Sequence, residues 1–245
     1  RPLHPHLRRA RYVLTNPAST VKPPRRKASE RRRAEVWSPE DMKKFRDYVD
    51  EHFIGIALEV DPWARAGMRL TLCGLRRSEV LGLDWRCVDL NLGTVRVEQS
   101  RVKTGRSNAT NLDAAKSDDS HRTVQVEAIH PGTASALRAL WIAQGQPTQG
   151  LVILTAELEP VHPDRYSRVF QRLRADAGVG PMGSIHNVRH TIATTLHDRG
   201  LEPRKVASLL GHKVTTHLAF YVPNSDEGAA EAARAAGEAF GGSVA

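Results

Sequence analysis

The sequence predicts a mostly helical α+β fold carrying one small antiparallel sheet, and three observations predict it. Apolar residues recur at helical spacing through most of the chain, with helix-start signals ahead of the runs. Two short segments, Thr94 to Val97 and Thr123 to Val126, alternate apolar and polar residues as half-buried strands do. At 245 residues and 40% apolar, the chain can bury one substantial core; with 5% aromatics, that core is mostly Leu, Val, Ile and Ala.

Taken in order, residues 1–37 are rich in Pro, Arg and Lys. Arg8 to Leu14 has room for a turn or two of helix, but Pro23-Pro24 and the basic run after it favour an extended linker. Ser38-Pro39-Glu40-Asp41 is a helix start: a serine cap, proline at the first position and acids in the first turn. Phe45, Tyr48, Val49 and Phe53 continue its apolar face, so the folded domain is placed from residue 38. Asp61-Pro62 repeats the signal for a helix through Trp63, Ala66, Leu70 and Cys73, closed by Gly74. A short helix follows from Ser78 to Leu83, then a turn at Asn91 to Gly93 between the strand candidates. Lys103 to Asp119 is too hydrophilic for a core. Helices are expected near 132–143 and 164–176, with the apolar run Leu151 to Leu154 between them, and an Ala-rich helix closes the chain from Asp226 to Phe240.

The net charge of +9 is unevenly placed. Residues 1–37 hold 11 Lys and Arg against 2 acids, which accounts for all of it. A neutral globule with a cationic arm suits a polyanion, because each neutralised phosphate releases counterions; a solvated tail or localisation signal is the plainer alternative. Cys73 and Cys87 form no CxxC pattern and imply no disulfide framework, which points to a reducing compartment. No apolar run approaches a membrane span. With Arg as first residue, the chain reads as a fragment or processed form of a soluble, cytoplasmic protein.

The stretch that organises the chain runs from Ile185 to Tyr221. It contains His186-Asn187-Val188-Arg189, Leu210-Gly211-His212, and a tyrosine nine residues after that histidine. Residues three apart share a helix face, so His186 and Arg189 are expected to point the same way. Two imidazoles, a guanidinium and a phenol converging on one place suit a phosphodiester. His186 and His190 also have the spacing of a zinc-binding HExxH helix, but asparagine stands where the glutamate base belongs. No metal or other cofactor is expected.

Gly74-Leu75-Arg76-Arg77-Ser78-Glu79 adds an arginine just past a helix end, with a glutamate three residues on. This GLRxxE pattern, joined in order to HNVR, LGH and the tyrosine, resembles the catalytic domain of the tyrosine recombinases, the phage-integrase family. The resemblance covers about residues 38–223 and implies that family's catalytic fold. It implies Tyr221 as nucleophile, forming a 3′-phosphotyrosyl linkage that conserves the bond energy; Tyr166 lacks any such neighbourhood. Arg76 and Arg189 match the arginines that hold the phosphate oxygens. His186 would accept the tyrosine proton or bond the phosphate, and His212 would donate to a non-bridging oxygen. Lys116, in a pattern resembling the family's hairpin lysine, would protonate the leaving 5′-oxygen, with Lys103 as its rival. Glu79 is expected to buttress an arginine. Arg25, Arg26, Lys27, Arg31, Arg32, Arg33, Arg77 and Arg122 are the expected DNA-backbone contacts.

On this reading residues 1–37 are a basic linker with the tail end of a core-binding domain, 38–223 the catalytic domain, and 224–245 a C-terminal helix that docks on a neighbouring protomer or packs on its own. The expected activity is site-specific DNA recombination, as an integrase of a phage or other mobile element. The expected partners are double-stranded DNA attachment sites, three further copies at synapsis, and a directionality factor or host DNA-bending protein; the expected location is the prokaryotic nucleoid. Two readings compete: a non-catalytic DNA-binding module, and a chromosome-resolving recombinase of the same family.

Overall fold

The computed structural model describes residues 21, 36–52, 62–103, 110–114, 121–181, 184–221 and 234–236. Ala34–Ala245 forms one compact unit, taken by itself.

Helix α1 (Pro39–His52) starts where its capping chemistry puts it, with Ser38 Oγ accepting the Asp41 N–H at 3.1 Å. Phe45 and Val49 are buried on its inner face, while Phe53 lies outside the described residues. Trp37, expected at the end of the basic linker, packs in the core instead. Its ring meets Phe45 edge-on at 5.3 Å and stacks on Phe170 at 6.1 Å, and its backbone N–H donates to Thr191 Oγ1 at 3.0 Å.

Helix α2 (Ala64–Leu72) is the central element, buried along nearly its whole length. It begins after Trp63, whose ring stacks on Tyr166 at 5.2 Å. Even Arg69 is 2% exposed; it bonds Asp50, the Pro131 carbonyl and Thr133 Oγ1, so a buried cation ties α2 to α1 and to the start of α5 (Thr133–Ala143). After α2 come α3 (Arg77–Gly82) and a 3-10 turn at Trp85–Cys87.

One three-stranded antiparallel sheet has the order β1-β2-β5, made of β1 (Val88–Asp89), β2 (Thr94–Val97) and β5 (Arg122–Val124). The last strand was expected at 123–126. It ends at Val124 because Val126 opens a short helix, α4 (Val126–Ile129), that also points its side chain into the core and so extends the alternation.

The hydrophilic stretch from Lys103 also departs from expectation. It belongs to a second antiparallel pair, β3 (Gln99–Lys103) with β4 (Thr110–Ala114), so the fold has two small sheets where one was expected. No alternation marks this hairpin because β3 is at most half-buried along its length. Its supports are polar: Gln99 Nε2 donates to the Gly82 carbonyl at 2.8 Å, and Arg101 donates to Thr110 Oγ1 at 2.9 Å and to the Val161 carbonyl at 3.0 Å. Glycine is needed at 82, where an added Cβ would sit 2.9 Å from the β3 backbone.

The remaining helices are α6 (Pro163–Asp176), α7 (His186–Asp198), α8 (Pro203–Leu210) and α9 (Val214–Tyr221). Ala193, Val206 and Leu210 make a small second cluster where α7 meets α8. Of the expected C-terminal helix, residues 234–236 are helical and the rest lies outside the described residues, as do Arg8 to Leu14 and the basic run. Among the described residues no helix is long and apolar enough to cross a membrane.

Candidate active site

The site grows from one buried carboxylate. Glu79, on the first turn of α3, is 4% exposed. Its Oε2 accepts the Arg76 backbone N–H at 2.8 Å, which caps the helix, and its Oε1 pairs with the Arg76 guanidinium. Arg122 reaches the same carboxylate from β5, at 3.2 Å through Nη1 and 2.9 Å through Nη2. Burial alone would raise the Glu79 carboxyl. The hydrogen bond and charge of Arg122, with the charges of Arg76 and Arg189, outweigh it and hold the group below the usual carboxylate range.

Both arginines then grip the turn before His212. Arg76 Nη2 donates to the Gly211 carbonyl at 2.8 Å, and Arg122 Nε donates to the Leu209 carbonyl at 3.0 Å. Gly211 ends α8 at φ +60, and a Cβ there would meet the Arg122 guanidinium at 2.5 Å. Glycine thus serves both the left-handed turn and the close approach.

Arg189, on the first turn of α7 and 4% exposed, completes the arrangement. Its Nη1 donates to the Gly74 carbonyl at 2.9 Å, just ahead of Arg76, and its Nη2 meets His212 Nδ1 at 3.3 Å. Arg76, Arg189 and His212 are thereby assembled from three separate stretches of chain.

The imidazoles are tuned to be neutral. Burial first, then the Arg189 charge and His217, pull His212 down to about 4. His186, at the exposed first position of α7, is also lowered to about 4 by desolvation of its ring, then by His190 and Arg189. Cationic neighbours and neutral imidazoles make a place that lacks one thing electrostatically, an anion. A phosphodiester would supply it, bind the guanidiniums by charge-assisted bonds, and meet neutral imidazoles able to donate or accept a hydrogen bond at pH 7.

The other predicted residues fall as follows. Arg122 was expected on DNA backbone, but its side chain is 7% exposed and bonded to Glu79 and Leu209, so it is an internal strut. Arg77 donates to Ser167 Oγ at 2.7 Å and is half-buried against α6, so it too is engaged within the domain. Lys103, the rival acid, pairs with Asp164 at 3.0 Å. Tyr166 is buried in the core; its hydroxyl donates to the Gly67 carbonyl at 2.6 Å and meets Thr71 Oγ1 at 2.7 Å, and burial pushes its pKa up. Tyr221 closes α9, but its side chain lies outside the described set. Lys116, Arg25, Arg26, Lys27, Arg31, Arg32 and Arg33 lie outside the described residues.

Sequence reasoning missed His217, buried on α9 with its Nδ1 3.4 Å from His212 Nε2. A histidine five residues past His212 was the available signal. The His186 and His190 rings meet edge to face at 4.9 Å. Among the described residues no group of three or more His, Cys, Asp or Glu is gathered to hold a metal.

Comparison with known proteins bears on the same residues. The model of the phage integrase family matches residues 63–227. Tyrosine recombinase XerC of Brucella suis is 32% identical over 159 residues, covering 62% of this chain and 44% of that protein. The type 1 fimbriae regulatory protein FimE of Escherichia coli K12 is 27% identical over 164 residues, 67% of this chain and 72% of the relative. Among solved structures, the Tn1549 transposon integrase in complex with transposon right end DNA aligns over 84% of this chain and 67% of its own, with a TM-score of 0.64 at 18% identity. XerH bound to palindromic difH substrate aligns with a TM-score of 0.56 at 18% identity, over 82% of this chain and 53% of its own. The chain spans less than half the length of the first XerC relatives, 44% and 47%.

Proposed function

The chain belongs to the phage integrase family, and we propose that it carries the strand-cleaving and rejoining chemistry of a site-specific tyrosine recombinase. The observation that carries this reading is the convergence of Arg76 and Arg189 on the His212 turn, through the Gly211 carbonyl at 2.8 Å and His212 Nδ1 at 3.3 Å. Guanidiniums so placed stabilise the charge that grows on the non-bridging oxygens as phosphorus becomes five-coordinate.

In the proposed reaction the Tyr221 hydroxyl oxygen attacks phosphorus and the bond to the 5′-oxygen breaks. The tyrosine proton passes to a base, for which neutral His186 is the candidate, and the 5′-oxygen takes a proton from Lys116. The product is a 3′-phosphotyrosyl ester and a free 5′-hydroxyl. Attack by a 5′-hydroxyl from the partner strand reverses the steps and reseals the backbone without outside energy. The proposed substrate is double-stranded DNA at attachment sites of a mobile element, with a homotetramer at synapsis and a directionality factor or DNA-bending protein assisting. Residues 1–37 are proposed to lie along phosphates as an interdomain linker, and 224–245 to dock on a neighbouring protomer. A nucleoid-associated, cytoplasmic location follows from the substrate.

The test is covalent trapping. Nicked duplexes with a randomised core, from which the cut fragment diffuses away, are incubated with the chain, and adducts surviving denaturant are recovered and sequenced. Wild type should yield adducts enriched in one core sequence, unaffected by chelator and absent with Tyr221→Phe. Binding of the DNA without any adduct would favour a non-catalytic DNA-binding module.

A further inference from the structure

His217 has no place in the motif that marks the family resemblance, yet it is fully buried against the site. It lies on α9, the helix that ends at Tyr221, and its ring runs nearly parallel to that of His212, with an interplanar angle of 16°. His197 of α7 also meets it edge-on at 5.8 Å. One ring therefore links α7, the His212 turn and the helix of the proposed nucleophile.

The hydrogen-bond roles are set by elementary chemistry. A guanidinium has donors and no acceptor, so the His212 Nδ1 that meets Arg189 at 3.3 Å must be unprotonated. Neutral His212 then carries its proton on Nε2. That N–H has His217 Nδ1 before it at 3.4 Å, and His217 must in turn be protonated on Nε2. Arg189, His212 and His217 thus form a one-way chain of donors in which each ring has a single tautomer.

We propose that His217 is a positioning residue for strand cleavage, accepting a hydrogen bond from the His212 Nε2–H in the resting protein and so holding the tautomer and ring plane that His212 offers to an incoming phosphate. The proposal rests on the recombinase reading above. An anionic phosphate oxygen is a stronger acceptor than a neutral imidazole, so it takes the Nε2–H from His217 with no change of tautomer. Because His217 rides on α9, the same helix sets this pre-orientation and carries Tyr221. The lowered pKa values of His212 and His217 agree with neutral rings at pH 7.

Two readouts test it. In protein labelled with 15N-histidine, two-bond nitrogen–proton correlations report each tautomer, with His212 assigned from the His212→Asn spectrum. His212 should be protonated on Nε2; protonation on Nδ1 would overturn the proposal. On the trapped DNA sequence, His217→Leu should slow adduct formation roughly three- to tenfold, the rate equivalent of one net hydrogen bond, with DNA affinity unchanged. His217→Asn, which keeps a polar acceptor near the Nδ1 position, should recover to within about twofold of wild type. A wild-type rate for His217→Leu, or His217→Asn as slow as His217→Leu, would mean the ring only fills space. The tautomer measurement on wild type needs no DNA, and the His212→Asn variant serves it only for assignment. Protonation on Nδ1 would therefore overturn the proposal even if Tyr221 forms no adduct, in which case the recombinase reading fails separately.

Discussion

Glu79→Gln keeps the shape of the side chain and removes its charge, which makes it the sharpest probe of how the arginines are held. Four bonds end on the Glu79 carboxylate: the Arg76 N–H and Arg122 Nη2 on Oε2, and the Arg76 guanidinium and Arg122 Nη1 on Oε1. An amide can accept at one of those positions only, and in either orientation its NH2 faces donors. Two bonds disappear in either orientation: the NH2 faces the Arg76 and Arg122 guanidiniums at the Oε1 position, or the Arg76 backbone N–H and Arg122 Nη2 at the Oε2 position, and Arg122 is 7% exposed. Charge-assisted bonds contribute roughly 1.5–3 kcal/mol each and do not add fully, so the expected loss of stability is about 2–4 kcal/mol. Urea denaturation reads it as a lower midpoint at unchanged slope. Arg122→Met should cost a similar amount, and the double variant should fall short of the sum by roughly 1–3 kcal/mol, since both changes break the same bonds. Adduct formation should slow in both single variants, because Arg122→Met removes the anchor of the Leu209 carbonyl and Glu79→Gln loosens the Arg76 and Arg122 guanidiniums that hold the Gly211 and Leu209 carbonyls, while the salt dependence of DNA binding stays as in wild type. A stability change for Glu79→Gln within about 0.5 kcal/mol of zero, the range of ordinary surface substitutions, would refute the network. So would an Arg122→Met variant of normal stability whose salt slope drops by about one, the signature of a phosphate no longer neutralised.

The other expectations are simpler. Tyr166→Phe strands the Gly67 carbonyl and the Thr71 hydroxyl in the core, so it should cost about 1–3 kcal/mol by urea denaturation yet leave adduct formation intact; loss of the adduct in a folded Tyr166→Phe would move the nucleophile. His130, His186 and His212 are lowered from 6.5 to about 4 in the fold, so between those values the unfolded chain binds more protons and stability falls as pH falls. The melting temperature should therefore drop by on the order of 10 °C from pH 7.5 to 5, most of it from half-buried His212 and buried His130, a window in which Glu79, held low, stays ionised. A flat profile there would contradict the neutral imidazoles. Replacing Arg31, Arg32 and Arg33 together with Ala should blunt the salt dependence of DNA binding by roughly one unit of slope for each phosphate they neutralise; an unchanged slope would count against the linker reading.

What could be read from sequence and what could not divide along a physical line. Helix starts are local: Ser38 and Pro39 act within one turn, so α1 begins where those residues say. The hairpin β3–β4 escaped because alternation reports burial, and a pair held by Gln99, Arg101 and Lys103 at the surface has no buried face to report. The site divides the same way. Arg76, Glu79, Arg189 and His212 could be singled out because GLRxxE, HNVR and LGH stand in the order of a resembled family's motifs, each motif lying within one short segment. What each side chain touches could not, because the contacts join segments far apart in the chain, such as Arg122 with Glu79. A basic residue in a sequence looks equally suited to phosphate or carboxylate; burial decides, and Arg122 at 7% exposure goes to the carboxylate. The consequence runs back to function. Arg76, Arg122 and Arg189 share one buried carboxylate between them, so the surplus positive charge at the His212 turn is structural, present before any DNA arrives. Its cost to the free protein is limited by Glu79 and by keeping His186 and His212 neutral, and under the proposed function a phosphodiester would relieve it on binding.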